Sequence, residues 1–251
     1  MKSVKHLRQS AAHSSVANVE AIVFDCYGTV IDFGEPQFIA AMAEICDRQG
    51  LAADAVDLWR RFLRAARSLR AENTHRPLYR RYEEAWALQF ERVFRQLGLR
   101  GDSRDATLYL KAKLAQAPAF VEAPPVIDAL RPRYRLALLS NADDDFLLPC
   151  LEGNRLHFDT VVSSEQAAAI KPDPAIFLHL ALALALEPER ILYVGDNPIP
   201  DLLGARQAGL RVAWVNRYGQ RRPPRVPPPD VKVKSLSELV PILHCRSGPQ
   251  P

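Results

Sequence analysis

Cysteine is scarce in this chain, and the four present (Cys26, Cys46, Cys150 and Cys245) form no CxxC pair and no zinc-like spacing. That argues against a structural zinc module, and without a secretory context it argues against a disulfide framework. The six histidines (His6, His13, His75, His157, His179 and His244) show no ligand spacing either, so none is assigned to a metal. No apolar run approaches the ~20 residues of a membrane span. The opening MKSVKHLRQSAAHSSVANVE is polar and slightly basic with no apolar stretch, unlike a signal peptide, and reads as a flexible leader over 1–19. A net charge of only +4, with no aromatics interleaved among the basic residues, argues against nucleic acid as partner. No internal repeat is visible. These absences lead to an expectation of a soluble, cytoplasmic protein, and leave monomer or homodimer open.

What the chain does have is 251 residues, about half of them hydrophobic, enough for a full core and a second small domain. The most informative stretch is AIVFDCYGTV at 21–30. An apolar run ends abruptly in Asp25, followed by the turn-permissive Gly28 and the hydroxyl of Thr29, as when a buried parallel strand delivers a carboxylate to the sheet edge. Asp25 is therefore a candidate nucleophile. Two further apolar runs end in polar groups: RLALLSNA at 135–142 in Ser140 and Asn141, and ILYVGDNPIPD at 191–201 in Asp196, with Asp201 five residues later. Between them, IKPDPAIF places Lys171 just before a helix that Asp173 caps and Pro174 opens. In an open parallel sheet, groups at the carboxyl ends of strands converge on one crevice. Cys26 adjoins Asp25, but strand alternation turns it away, as a packing residue.

The segments between these motifs divide the chain. After the strand at 21–25, helical periodicity runs through about 36–49, 54–72, 76–97 and 103–116, with breaks at Gly50, near Arg76-Pro77 and around Gly98 to Asp102. From Pro124 the pattern alternates: helix 124–131, strands 135–139 and 160–163, helix 174–186, strand 191–194, helix 200–208, strand 211–215 and a last helix at 235–243. This predicts an α/β fold, a Rossmann-like doubly wound parallel sheet with an inserted helical domain. The expected core is 20–32 with 119–251, and the expected insert is 33–118. The proline-rich RRPPRVPPPD at 221–230 reads as a rigid connecting loop rather than a polyproline II ligand.

Taken in order, Asp-x-x-Gly-Thr, the strand-end Ser, Lys-Pro-Asp-Pro and Gly-Asp-x-x-x-x-Asp resemble the haloacid dehalogenase-like hydrolase superfamily over about 20–243. The resemblance implies that Asp25 attacks a small anionic substrate and that Thr29 and Ser140 hydrogen-bond its anionic group or the nucleophile, with Asn141 and Tyr27 lining the same site. It also implies that Lys171 balances charge and that Mg²⁺ binds between Asp25, Asp196 and the main-chain carbonyl of residue 27, with Asp201 in support. The helical insert resembles the superfamily's mobile cap, which excludes water on closing.

Two features pull the resemblance in different directions. Phosphatases of the superfamily carry a second aspartate two residues after the nucleophile, as general acid; here that residue is Tyr27, and a phenol with pKa near ~10 serves poorly as an acid at neutral pH. FDCYGTV instead resembles the 2-haloacid dehalogenases, whose halide leaves unprotonated. Asp196, however, resembles the phosphatase branch. Without a metal, Asp25, Asp196 and Asp201 against Lys171 sum to about −2, and each like-charge pair near ~4 Å is worth about 4 kcal/mol at an effective dielectric of ~20. Mg²⁺ removes that repulsion. On this arithmetic the expected activity is Mg²⁺-dependent hydrolysis of a small phosphorylated metabolite. A metal-independent (S)-2-haloacid dehalogenase is the alternative, and a capped binding protein without turnover the second.

In the insert, Arg60, Arg64 and Arg67 share one helical stripe, with Arg61, Arg70, Arg76, Arg80 and Arg81 nearby. Like charges at i,i+4 cost a few tenths of a kcal/mol per pair. Either the stripe is solvated with Glu83 and Glu84 as partners, or one arginine grips the substrate's anionic group. Arg60 is the candidate, because dehalogenases of the superfamily carry a cap arginine in a similar Trp-Arg context.

Overall fold

The run Ala21–Phe24 (β1) is buried at every position, as a strand covered on both faces requires. A computed structural model of the protein describes residues 16, 18–71 and 79–244. His6, His13, His75, Arg76, Pro77 and Cys245 lie outside them, as does nearly all of the expected leader. In chain order β1 is followed by α1 (Glu35–Gln49), α2 (Ala55–Ala71), α3 (Tyr82–Leu97), α4 (Ser103–Ala115) and α5 (Ala123–Leu130). Then come β2 (Arg135–Ser140), α6 (Asp144–Gly153), β3 (Thr160–Ser163), α7 (Pro174–Leu184), β4 (Ile191–Gly195), β5 (Arg211–Val215), β6 (Val231–Val233) and α8 (Leu239–His244). The sheet is wholly parallel in the order β3-β2-β1-β4-β5-β6. The fold is thus the expected α/β Rossmann-like sheet. β1 is central, with Phe24 opposite Leu138 of β2 and Val194 of β4. Residues just past these positions therefore meet at the switch point of the strand order. Among the described residues, no helix is long and apolar enough to cross a membrane.

Two compact units result, one of residues 1–32, 119–141 and 156–251, the other of 33–118 and 142–155. The first holds the sheet. On one of its faces Ile176, Phe177 and Leu180 of α7 pack with Tyr193, Leu202, Trp214 and Val226. The second is helical, around an aromatic series in which Phe38 stacks on Trp59 at 4.6 Å and Phe62 meets Phe90 at 4.7 Å. It also takes in α6, which is absent from the expected elements and was grouped by sequence with the core. The cause is Asp143, fully buried, whose carboxylate accepts from the backbone N–H groups of Tyr82 (2.8 Å) and Glu83 (3.0 Å). It supplies from a distant segment the N-terminal cap that Arg81 cannot.

Several expected boundaries shift. α3 opens at Tyr82 rather than 76, where Asp143 caps it. Residues Pro198–Leu203 form a π-helical turn rather than the start of a regular helix over 200–208, since Pro198 and Pro200 lack donors and Leu202 N–H reaches back to Asn197 at 3.4 Å. β6 was not anticipated, its three residues being too short for a period-two signal. The expected last helix divides into a 3₁₀ turn, Leu236–Glu238, and α8. Val16 and Val19 are buried, so the end of the expected leader belongs to the packed unit. The proline-rich loop is fastened by the fully buried Val226 and by Asp230, which accepts from Val212 N–H at 2.7 Å. Cys26, Cys46 and Cys150 are free and buried.

Asp143→Ala should lower stability by about 2 kcal/mol or more, because two buried backbone donors lose their acceptor. Asp102→Ala, which removes an exposed cap from α4, should cost about 1 kcal/mol. Urea denaturation of both variants checks the ranking, and equal losses would contradict it.

Candidate functional site

The residues after β1 form a turn built on one carbonyl. The oxygen of Cys26 accepts from Thr29 N–H (3.2 Å), Val30 N–H (2.9 Å) and Ile31 N–H (2.9 Å), which brings Thr29 back over the strand end. There its hydroxyl lies 3.1 Å from Asp25 Oδ2 and 3.3 Å from Asp196 Oδ1. Gly28 is required twice: its φ is +92°, and a Cβ there would sit 2.9 Å from the Asp196 carboxylate. Asp25 itself is buried, its N–H donating to Val194 at 2.8 Å.

Lys171 enters from the loop before α7. Its Nζ lies 2.5 Å from Asp25 Oδ1, 2.8 Å from Asp201 Oδ1 and 2.8 Å from the Tyr193 hydroxyl, and the residue is 3% exposed. Asn141 grips the Lys171 backbone from both sides, accepting from its N–H at 2.8 Å and donating to its carbonyl at 3.2 Å. Asp201 also accepts from Tyr193 (3.1 Å) and from Asn197 N–H (2.9 Å). This packing leaves no room for a side chain at 195, where a Cβ would stand 2.6 Å from Asp201.

Burial pushes the Asp25 carboxyl up to about 6, Lys171 opposing the rise and Asp201 adding to it. Asp196 is held well above the usual carboxylate range by burial, then by Asp201 and Asp25. Burial would lower the Lys171 ammonium, but Asp201 and Asp25 outweigh it and keep it charged well above its ordinary range. Carboxylate oxygens of Asp25, Asp196 and Asp201 all lie within 4.8 Å of one another. Hard oxygen donors carrying excess negative charge fit Mg²⁺. Asp201 has both oxygens engaged by Lys171, Tyr193 and Asn197, whereas Asp25 Oδ2 and Asp196 Oδ1 share the Thr29 hydroxyl and so are the two carboxylates suited to face a cation together.

Asp25, Thr29, Lys171, Asp196 and Asp201 are thus brought together. Ser140 is buried at the end of β2, and Tyr27 is half-buried in the turn. Asn141, expected to line the substrate site, holds the Lys171 main chain. Arg60 is exposed on α2 and belongs to the other unit. Sequence reasoning missed Tyr193, whose hydroxyl inside an otherwise apolar strand was the available signal. It also missed Arg217. That guanidinium donates to the Thr29 carbonyl at 2.9 Å, pairs with Glu122 and lies 3.7 Å over the Phe120 ring, bracing the turn that carries Thr29. Nothing in its local sequence announces this.

The profile of the haloacid dehalogenase-like hydrolase family matches residues 19–209. The chain belongs to this family. This hydrolase is 30% identical over 236 residues to (S)-2-haloacid dehalogenase 4A of Burkholderia cepacia, covering 91% of this chain and 96% of that one. It is 36% identical over 164 residues to the phosphoserine phosphatase of Thermus thermophilus, covering 62% and 66% of the two chains. A crystal structure of a dehalogenase superposes with a TM-score of 0.74 at 26% identity, over 90% of this chain and 98% of the other.

The nucleophile role expected of Asp25 requires its carboxylate, so kcat/KM should fall as the pH drops through about 6, where the carboxyl takes up its proton. A rate flat from mildly acidic to neutral pH would contradict this. Arg217→Met keeps bulk but removes the donors to Thr29. It should slow turnover about tenfold through misplacement of the Thr29 hydroxyl, with KM little changed. Steady-state kinetics on the folded variant decides.

Proposed function

We propose that this hydrolase acts on a short 2-haloacid, with Asp25 as nucleophile. The observation that carries the reading is Tyr27: a carboxyl is missing where a phosphatase of the family keeps its general acid, and a halide needs none. The end-to-end similarity to a 2-haloacid dehalogenase supports it, against the phosphoryl substrate expected from charge arithmetic alone. In this reading an Asp25 Oδ donates its electron pair to C2 of the substrate as the C–halogen bond breaks, giving an ester and a free halide ion. Water then adds at the Asp25 carboxyl carbon, and cleavage of the acyl C–O bond returns the carboxylate and releases a 2-hydroxyacid and a proton. Lys171 and Thr29 hold the Asp25 oxygens in place for both steps. Ser140, Tyr27 and Arg60 are the proposed contacts for the substrate, Arg60 for its carboxylate. The raised pKa of Asp196 limits repulsion of an anionic substrate, because a protonated carboxyl carries no charge.

A second reading rests on a different observation, the clustering of Asp25, Asp196 and Asp201. It is hydrolysis of a small phosphate ester with Mg²⁺ held by Asp25 and Asp196, the main-chain carbonyl of Tyr27 as a further proposed ligand and Asp201 behind them. The ion would supply neutralisation of negative charge. Lacking a carboxyl at 27, such an enzyme would favour aryl or acyl phosphates, and Tyr27→Asp would raise alkyl-phosphate hydrolysis by up to about 10²-fold.

Product analysis separates the two. Incubated with (S)-2-chloropropionate, the wild type should release chloride at a rate unchanged by EDTA, and Asp25→Asn should lose at least about 10²-fold in rate. Phosphate release from aryl phosphates that requires Mg²⁺, with no chloride from the haloacid, would replace the first reading with the second.

A further inference from the structure

Tyr193 is fully buried in β4, on the face of the sheet where α7 packs, and its ring meets that of Phe177 edge-on at 5.1 Å. A phenylalanine would fill the same apolar space, so packing leaves the hydroxyl unexplained. That hydroxyl accepts from Lys171 Nζ at 2.8 Å and lies 3.1 Å from Asp201 Oδ1. An ammonium can only donate, so the hydroxyl turns a lone pair to Lys171 and its one proton to Asp201. Lys171 has three N–H donors, and Asp25 Oδ1 (2.5 Å), Asp201 Oδ1 (2.8 Å) and the Tyr193 hydroxyl take one each. Nζ stands 5.5 Å from the Tyr193 ring centroid, so the oxygen rather than the ring face holds it. The Leu139 carbonyl lies farther off, at 3.5 Å.

We propose that Tyr193 is a positioning residue whose hydroxyl keeps the Lys171 ammonium in place while Asp25 is esterified and uncharged. This rests on the covalent role of Asp25 in the reading above. When an Asp25 oxygen bonds to C2 and the halide leaves with the C–halogen electron pair, the carboxylate becomes a neutral ester. Its hold on Lys171 falls from that of an ion pair to that of a carbonyl. The hydrogen bonds to Asp201 and Tyr193 do not depend on that charge, so they keep the ammonium beside the ester. Water then adds at the carboxyl carbon, and an ammonium already in place stabilises the negative charge that gathers on the acyl oxygen. The ester C–O bond breaks, the carboxylate and its ion pair return, and the 2-hydroxyacid and a proton leave. Without the hydroxyl, one N–H of a buried ammonium loses its acceptor, and the Leu139 carbonyl is bonded well only after Nζ shifts. Ester hydrolysis should therefore suffer more than ester formation.

The test is rapid-mixing kinetics of the full-length wild type, Tyr193→Phe and Ile176→Val with (S)-2-chloropropionate, melting temperatures confirming each fold. Ile176→Val trims the same buried cluster and removes no polar group. Tyr193→Phe should lower kcat about tenfold and KM with it, leaving kcat/KM nearly unchanged, because the second step has become limiting. Chloride should appear in a burst approaching one per active site, with the ester on Asp25 visible in the intact mass. An unchanged kcat, a lowered kcat at constant KM without a burst, or the same burst in Ile176→Val would overturn the proposal. A second measurement needs no turnover: proton–nitrogen spectra with isotope-labelled lysine, on Asp25→Asn, where a neutral amide stands in for the ester. The Lys171 ammonium should keep an exchange-protected signal there and lose it in Asp25→Asn/Tyr193→Phe; a signal that persists in the double variant would overturn the proposal. A wild type that releases no chloride would overturn the haloacid reading and leave these spectra to decide the role of Tyr193. Should Tyr193→Phe fail to fold, Asp25→Asn decides alone, since loss of the Lys171 signal there would show that Asp201 and Tyr193 do not hold the ammonium, and would overturn the proposal.

Discussion

The buried ammonium of Lys171 is the interaction on which the carboxylate cluster at the sheet edge depends. It bonds Asp25 and Asp201 at once and takes the Tyr193 hydroxyl as a third partner, in a position almost closed to water. Two buried carboxylates so close together would repel strongly, and removing one partner from such a group leaves an uncompensated charge that costs several kcal/mol. The surroundings are accordingly arranged to hold the lysine. Asn141 fixes its backbone, Asp173 caps the helix that follows, and Gly195 leaves space for Asp201 to approach.

Around that pair the sheet acts as a positioning device. Because β1 lies between β2 and β4 in register, Asp25, Ser140 and Asp196 arrive at one edge without any loop having to reach for another. The turn after Asp25 then closes on the Cys26 carbonyl and returns the Thr29 hydroxyl to the Asp25 carboxylate, while Arg217, just after β5, and Glu122, just before α5, brace it. Thr29 from this turn and Lys171 from the loop before α7 together hold Asp25 by both carboxylate oxygens.

The helical unit is organised by charge as well as by its aromatic core. Asp143 and Asp145, from the segment after β2, tie α6 to α3 and α4 through Tyr82, Glu83, Arg81 and Lys111. On α2 itself Asp57 meets Arg61 at 2.7 Å and Arg64 at 3.9 Å.

The sequence by itself determined the parallel sheet, the helical insert and most of the cluster around Asp25. Apolar runs ending in Asp25, Ser140 and Asp196 declare both the strands and their functional ends, and Lys-Pro-Asp-Pro declares the helix that brings Lys171, because these signals are local in the chain. Tertiary structure alone decided what depends on partners far apart. Asn141 serves the Lys171 backbone across 30 residues, Asp143 caps α3 across 61, and Arg217 holds the Thr29 carbonyl across 188. Backbone acceptors and donors have no sequence signature, so no spacing rule could have paired them. Likewise the pairing of Glu83 with Lys111 rather than with the arginine stripe was settled by helix packing, since charge patterning along one helix is blind to the acids and bases of its neighbours.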